Sequence, residues 1–229
     1  MTDNSFNLRI ANEVVPYLEK LCLLKSNIYK PENHSTDSVR EIAREGKYED
    51  IFYETINTYS YDMLLVDDSI FQFHKEQNDY RYCFIQSPRV KMTWEEFLES
   101  IDTNEEELSV AEIEQWHSYY DNDEADCYRK NIYPVYMRYD VSAKEYKEGE
   151  HPYSHLHIGI NNEIRIPIAL VLTPEMFTEF VIKMVYKKQW ADKKNENYFV
   201  DFHKTLKRGC EPIQLEFWSE IDKLDIFIK

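Results

Sequence analysis

Hydrophobic positions at the start of the chain recur at the spacing of an amphipathic helix. Asn4 or Ser5 can cap this helix, and Pro16 lies inside it, so we expect a kink or two shorter helices there. The polar stretch 29–38 predicts a loop, and apolar positions in 39–59 predict a second amphipathic helix. The apolar positions of the first helix are Leu8, Ala11, Val14, Val15, Leu18 and Leu21.

The hydrophobic period then shortens from about 3.6 residues to about 2, the period of a strand. Three short runs, rich in aromatic and β-branched residues, are separated by turn residues and predict an antiparallel meander. In the second run Phe71 and Phe73 alternate with Gln72 and His74, so one face should be buried and the other partly hydrated. The runs are Met63–Val66, Ser69–His74 and Tyr80–Gln86.

Two helices are predicted in the acidic segment that follows. Thr93 is a good N-cap for a helix over Trp94–Ile101, and Ser109 caps a second helix that ends at Tyr119 or Tyr120. Apolar side chains recur along both, which indicates surface helices and not a disordered tail.

The C-terminal half returns to strands and ends with the clearest helix of the chain. Strands are predicted at Ile132–Val141, Tyr153–Gly159 and Ile164–Ile168, with Asn161-Asn162 as the hairpin turn between the last two. Thr173 is an N-cap and Pro174 stands at N1 of a helix whose apolar stripe should pack across the sheet. The tail from Ile213 to Lys229 predicts a last strand, or a short helix and a strand.

This order of elements predicts an α+β fold with a mostly antiparallel sheet and packed helices, in one domain over residues 1–229. Its parts are N-terminal helices at 4–59, the sheet with an acidic helical insertion at 60–130, and the histidine-containing hairpin with its packing helix at 131–229.

Charge is unevenly distributed along the chain, whose net charge is −16. Thirteen carboxylates and no Lys or Arg lie between Glu95 and Asp126, whereas eight basic residues meet three acidic ones between Lys183 and Arg208. An acidic surface repels polyanions, so nucleic acid could bind only through a local basic patch. The four cysteines form no C-x-x-C pair, and neither a signal peptide nor a membrane span is visible, so we expect a cytoplasmic protein.

Candidate chemistry concentrates on one predicted sheet face. His155 and His157 project from the same side of their strand, and Arg138, Asp140 and Arg165 could join them if the neighbouring strands pair nearby. There is no P-loop, no G-x-G-x-x-G, no G-x-S-x-G and no zinc-finger spacing.

Three interpretations of this face remain open. The groups could satisfy one another in a buried network. They could form a phosphodiester site, in which Arg138 and Arg165 bind the anion and His155 or His157 transfers protons. They could also hold a divalent metal through His151, His155, His157 and Asp140, although no cofactor is predicted.

Five motifs give the chain a wider resemblance. They are FQFHKE at 71–76, YPVYMRYD at 133–140, HPYSHLHIG at 151–159, RIP at 165–167 and LTPEMFTEFVIKMVY from Leu172. In this pattern the chain resembles a bacterial family of uncharacterised proteins, domain of unknown function 2290. The resemblance implies an accessory member of gene clusters concerned with mobile elements and phage defence.

The leading hypothesis is therefore a non-catalytic accessory subunit that binds a protein partner from a neighbouring gene. One alternative is a nuclease-like phosphodiesterase that uses His155, His157, Arg138 and Arg165. Another is an acidic decoy for a nucleic-acid-binding protein.

Overall fold

The computed structural model describes residues 3–28, 41–42, 46–122, 125–160, 164–224 and 227–228. Its strands are β1 (Leu24–Asn27), β2 (Met63–Leu65), β3 (Ile70–Glu76), β4 (Asp79–Ile85), β5 (Arg89–Lys91), β6 (Tyr128–Lys130), β7 (Tyr136–Val141), β8 (Ser154–Ile158), β9 (Arg165–Pro167), β10 (Leu170–Val171) and β11 (Glu211–Pro212). Seven of these strands form one antiparallel sheet in the order β1-β2-β3-β4-β7-β8-β9. The fold class predicted from the sequence, α+β with a mostly antiparallel sheet, is confirmed.

Helices precede, interrupt and follow the sheet. The α-helices are α1 (Asp3–Arg9), α2 (Val15–Lys20), α3 (Tyr48–Asn57), α4 (Trp94–Ser100), α5 (Val110–Asp121), α6 (Pro174–Val185), α7 (Lys187–Lys193) and α8 (Asn197–Leu206). A π-helical turn, Ile10–Val14, joins α1 to α2, and Pro16 lies in the first turn of α2. Pro16 cannot donate a backbone hydrogen bond, which explains why the helix predicted here is divided.

The chain divides into two compact units. The larger unit comprises Met1–Gln86 and Val135–Lys229 and contains the seven-stranded sheet. The smaller unit, Ser87–Pro134, is inserted between β4 and β7 and contains the acidic segment. Both of its predicted helices are present, and each begins with a capping box, at Thr93 and at Ser109.

One face of the large sheet is apolar and is covered by helices. Phe177 of α6 is fully buried and meets the rings of Phe71, Phe73 and Tyr82 at centroid distances of 6.3, 6.4 and 5.8 Å. Tyr17 of α2 stacks on Phe202 of α8 with a centroid distance of 4.7 Å. Aromatic pairs of this kind provide much of the core, as the predicted packing helix requires.

The opposite face of the sheet is partly apolar and partly polar. Near the end of β4 it is covered by α3, whose Ile51 and Phe52 pack with Ile70, Ile85 and Tyr136. Further along the strands this face carries polar and charged side chains, and it contains the candidate site.

The small unit has a core of its own. Met92, Phe97, Leu98 and Cys127 are buried, and β5 pairs with β6. The Tyr120 hydroxyl donates a hydrogen bond of 2.6 Å to the Met92 carbonyl.

Several boundaries differ from the predictions. The helix predicted over 39–59 is observed as α3 together with a helical stretch at 41–42, and the described part of the tail contains short 3-10 turns. The predicted loop at 29–38 and the Asn161-Asn162 turn lie outside the described residues. Among the described helices, none has the length and apolar character needed to cross a bilayer.

Candidate functional site

The sheet register brings the five polar residues predicted for the site onto one face. Asp140 lies directly opposite His155, and Arg138 lies opposite His157. His157 in turn lies opposite Arg165 on β9. Residues directly opposite each other on neighbouring strands project to the same side of a sheet, so the predicted common face exists.

Asp140 is the centre of this face. Its Oδ2 accepts a hydrogen bond of 2.7 Å from Arg138 Nε, and its Oδ1 accepts one of 3.0 Å from Arg81 Nε. Burial by itself raises the pKa of Asp140, but the hydrogen bond from His157 and the charges of Arg138 and Arg81 outweigh it. The pKa of the carboxyl therefore lies well below its usual range, and Asp140 is ionised at neutral pH.

The hydrogen bonds of the two histidines fix their tautomers. His155 Nδ1 lies 2.8 Å from the Pro152 carbonyl, which can only accept, so Nδ1 carries the proton and Nε2 of the neutral ring is an acceptor. His157 Nε2 lies 2.9 Å from His155 Nε2 and must therefore donate. It also lies 3.3 Å from Asp140 Oδ2.

Both rings are neutral at physiological pH. Burial, reinforced by the proximity of His157, lowers the pKa of His155 to about 3. Burial also lowers the pKa of His157, and the hydrogen bond to Asp140 opposes this effect without cancelling it. Within the part of the chain that the structure describes, Nδ1 of His157 is buried and has no hydrogen-bond partner.

His151, the third histidine of the segment, lies next to His155 and is not one of the three residues whose ligand atoms converge. Its ring meets the ring of His155 edge-on, with the centroids 4.8 Å apart, and its Nε2 lies 3.9 Å from Glu145 Oε2. The ligand atoms that converge are those of Asp140, His155 and His157, all within 4.8 Å of one another.

The two arginines predicted to bind an anion differ in how far they are exposed to a ligand. Arg138 is mostly buried and donates through Nε and Nη2 to Asp140, so its positive charge is already compensated. Arg165 is exposed. Anion binding by this pair stays a prediction.

Arg81 belongs to the site and was missed from the sequence. It lies opposite Asp140 in the β4–β7 pair, although the two residues are 59 positions apart in the chain. Alternation within Tyr80–Gln86 assigns Arg81 to a face, but only knowledge of the β4–β7 pairing could connect it to Asp140. A cleft of about 360 Å³ adjoins both residues and is also lined by Gln72, His74 and Glu145.

The predicted basic segment, 183–208, falls on α6, α7 and α8 and on the turn that follows. Lys183 and Lys194 lie over the ring of Trp190, 5.0 and 5.5 Å from its centroid. These cation–π contacts order two of the lysines, whereas nucleic-acid binding by this patch stays a prediction.

Comparison with known proteins identifies the family and nothing more specific. The profile of the family described as "Uncharacterized conserved protein (DUF2290)" matches residues 21–216, most of the chain, and the chain belongs to this family. No curated protein matches it, and no solved structure does.

Proposed function

We propose that this chain is an accessory subunit of a bacterial phage-defence or mobile-element system, and that its smaller unit, Ser87–Pro134, binds a basic partner protein. The observation that carries this proposal is the concentration of charge in one compact unit. Thirteen carboxylates and only four Lys or Arg side chains lie in this unit, so more than half of the net charge of −16 lies on less than a quarter of the residues.

The small unit also exposes large apolar side chains among its carboxylates. Val110, Ile132 and Tyr133 are 74%, 71% and 86% exposed, and α5 contains no fully buried residue. Aromatic side chains are enriched at protein-binding surfaces, so an exposed group such as Tyr133 favours this role. Carboxylates at such a surface favour a basic partner and accelerate its association.

The state of the polar sheet face supports a non-catalytic role. Asp140, His155 and His157 are 4%, 1% and 1% exposed, and they hydrogen-bond mainly to one another and to arginines. A polymeric substrate needs groups that it can reach, and these groups are enclosed.

The test is a pull-down of the tagged chain from its native host, followed by mass spectrometry and sizing. The variant combines Glu105→Gln, Glu106→Gln and Glu107→Gln, which removes three charges and leaves amide oxygens that can still accept a hydrogen bond from Trp94 Nε1. A matched control neutralises three exposed carboxylates of the larger unit, Glu148, Glu150 and Glu216.

We expect wild type and control to retain one stoichiometric partner, and the acidic variant to lose about 10-fold in affinity, with weaker binding at high salt. Elution of the wild-type chain alone would contradict the proposal, as would equal loss in both triple variants. If the captured protein binds nucleic acid, and that nucleic acid competes with this chain for the captured protein, the smaller unit acts as an acidic decoy.

A second candidate, a nuclease-like phosphodiesterase, is favoured by one specific observation. Asp140 and Arg81 border the cleft of about 360 Å³, so a small phosphodiester could approach the polar face there. In this function Arg138 and Arg165 hold the phosphate, and His155 or His157 transfers protons.

Overexpression distinguishes the second candidate. A phosphodiesterase should harm the host cell and hydrolyse a chromogenic phosphodiester, and the double variant His155→Asn/His157→Asn should abolish both effects, with circular dichroism to check that the variant is folded. His203→Asn is the matched control, because His203 is exposed and lies on α8. Absence of harm and of hydrolysis in wild type would exclude this function.

A further inference from the structure

Three donor atoms converge on the polar face of β7 and β8. His155 Nε2 and His157 Nε2 are 2.9 Å apart, and His157 Nε2 is 3.3 Å from Asp140 Oδ2. Ligand atoms that surround one ion at about 2.1 Å lie about 3.0 Å apart in octahedral and about 3.4 Å apart in tetrahedral coordination. Two of the three spacings therefore match neighbouring ligands of a single ion, and all three donor atoms lie within 4.8 Å of one another.

We propose that Asp140, His155 and His157 bind one divalent first-row transition-metal ion, for which Zn²⁺ is the probe. Two imidazole nitrogens and one carboxylate suit such an ion better than Mg²⁺ or Ca²⁺, which prefer oxygen ligands. This inference goes beyond the proposed partner binding and depends on neither candidate function.

His155 already has the arrangement of a metal ligand. Its Nδ1 donates to the Pro152 carbonyl at 2.8 Å, which leaves the Nε2 lone pair directed at Nε2 of His157. Metal-binding histidines usually donate their other ring N–H to a carbonyl or carboxylate in this way, which orients the ring.

His157 can become a ligand by moving one proton. In the metal-free state its proton is on Nε2, whereas Nδ1 is buried and has no partner among the described residues. Metal binding at Nε2 places the proton on Nδ1, so the ring stays neutral and no proton is gained or lost. Burial favours the neutral form that a ligand requires.

Asp140 is held in place by Arg81 and Arg138, which orient the carboxylate and keep it ionised. Their two positive charges also repel a cation, so we expect weaker binding than in sites made of cysteine and histidine alone. The cleft that borders Asp140 provides the access route.

Binding of the ion should stabilise the fold. Asp140, His155 and His157 supply three of the four ligands of a tetrahedral ion, so one coordination position stays open to water. An ion that binds only the folded chain stabilises it, so Zn²⁺ at about 100 times its Kd should raise the Tm by about 5–10 °C.

The experiment uses the full chain, stripped with a chelator and then dialysed against Zn²⁺. Metal content is measured for wild type, for the double variant His155→Gln/His157→Gln, and for His151→Gln, the matched control from the same segment. The absorption spectrum of Co²⁺ bound to the wild-type chain reports coordination by nitrogen and oxygen. This measurement needs no variant, so it tests the proposal even if the double variant fails to fold.

We expect about one Zn²⁺ per chain in wild type and in His151→Gln, and less than about 0.1 in the double variant. Mg²⁺ should neither bind nor raise the Tm. Absence of Zn²⁺ binding and of a Co²⁺ spectrum in wild type would overturn the proposal. Loss of the ion in His151→Gln, or one retained ion in a folded double variant, would overturn the ligand set. Because partner capture is measured separately, failure of either proposal can be distinguished from failure of the other.

Discussion

The Nε2 atoms of His155 and His157 face each other at 2.9 Å, so one of them must carry a proton and the other must not. The Pro152 carbonyl decides which, because it accepts from Nδ1 of His155 and so leaves that ring's Nε2 unprotonated. The Pro152 carbonyl contacts only His155, but it thereby determines which ring nitrogen of His157 carries the proton.

The first prediction concerns these tautomers. In metal-free protein, nitrogen-edited NMR of labelled histidine should show His155 protonated at Nδ1 and His157 protonated at Nε2. His203, whose Nδ1 lies 3.0 Å from Glu179 Oε1, provides a reference signal from a more exposed ring. Detection of the same tautomer at both buried rings would contradict the hydrogen-bond assignment.

Asp140→Asn should be strongly destabilising. The substitution removes the charge that compensates Arg138, which stays mostly buried, and breaking a buried ion pair costs about 3–5 kcal/mol. Urea unfolding measures the change in the free energy of unfolding. The control is Asp201→Asn on α8, where the aspartate is 76% exposed and the change should be within about 0.5 kcal/mol. Equal stability of the two variants would show that Asp140 does not hold the arginines.

Asp222 should make stability depend on acid pH. Its Oδ2 accepts from the Tyr146 hydroxyl and the Ser219 N–H, and its Oδ1 accepts from the Gly149 N–H. Burial raises the pKa of Asp222, but these hydrogen bonds outweigh it and lower the pKa below its ordinary value. A lowered folded-state pKa gives stability that is present above the unfolded pKa of about 3.9 and is lost as the pH falls below it.

Asp222→Asn should therefore cost about 1–3 kcal/mol near pH 7, because the amide keeps only one acceptor oxygen and at least one part-buried donor loses its partner. The difference from wild type should shrink as the pH falls from about 5 to about 3. Chemical unfolding across this range measures it, with Glu220→Gln as an exposed control from the same segment. A difference that stays constant with pH would rule out ionised Asp222 as the source.

Phe177→Ala should destabilise the larger unit. The ring is fully buried against Phe71, Phe73 and Tyr82, so its removal leaves a cavity and should cost about 3–5 kcal/mol. Leu215→Ala, at a side chain that is 84% exposed, should change stability by less than about 0.5 kcal/mol. A loss below about 1 kcal/mol for Phe177→Ala would mean that α6 does not pack as described.

Strands in the middle of the sheet were predictable because their side chains alternate. Phe71 and Phe73 point into the core while Gln72 and His74 do not, which is the alternation that the sequence shows. Shorter strands were missed. Leu24–Asn27, for example, has a partly buried residue followed by three exposed ones, and so carries no period that distinguishes it from a loop.

By itself, the sequence determined which side chains share a face, because alternation is a local property of an extended chain. It placed Arg138 with Asp140, and His155 with His157, and it located the helix starts at Thr93, Ser109 and Thr173 from their capping chemistry.

Only the tertiary structure decided how these faces meet. It placed Arg81 beside Asp140 across 59 positions of chain, enclosed His155 and His157, and placed the ring of His151 against that of His155. Strand pairing and burial depend on contacts between distant segments, and no local pattern of residues records which segments will meet.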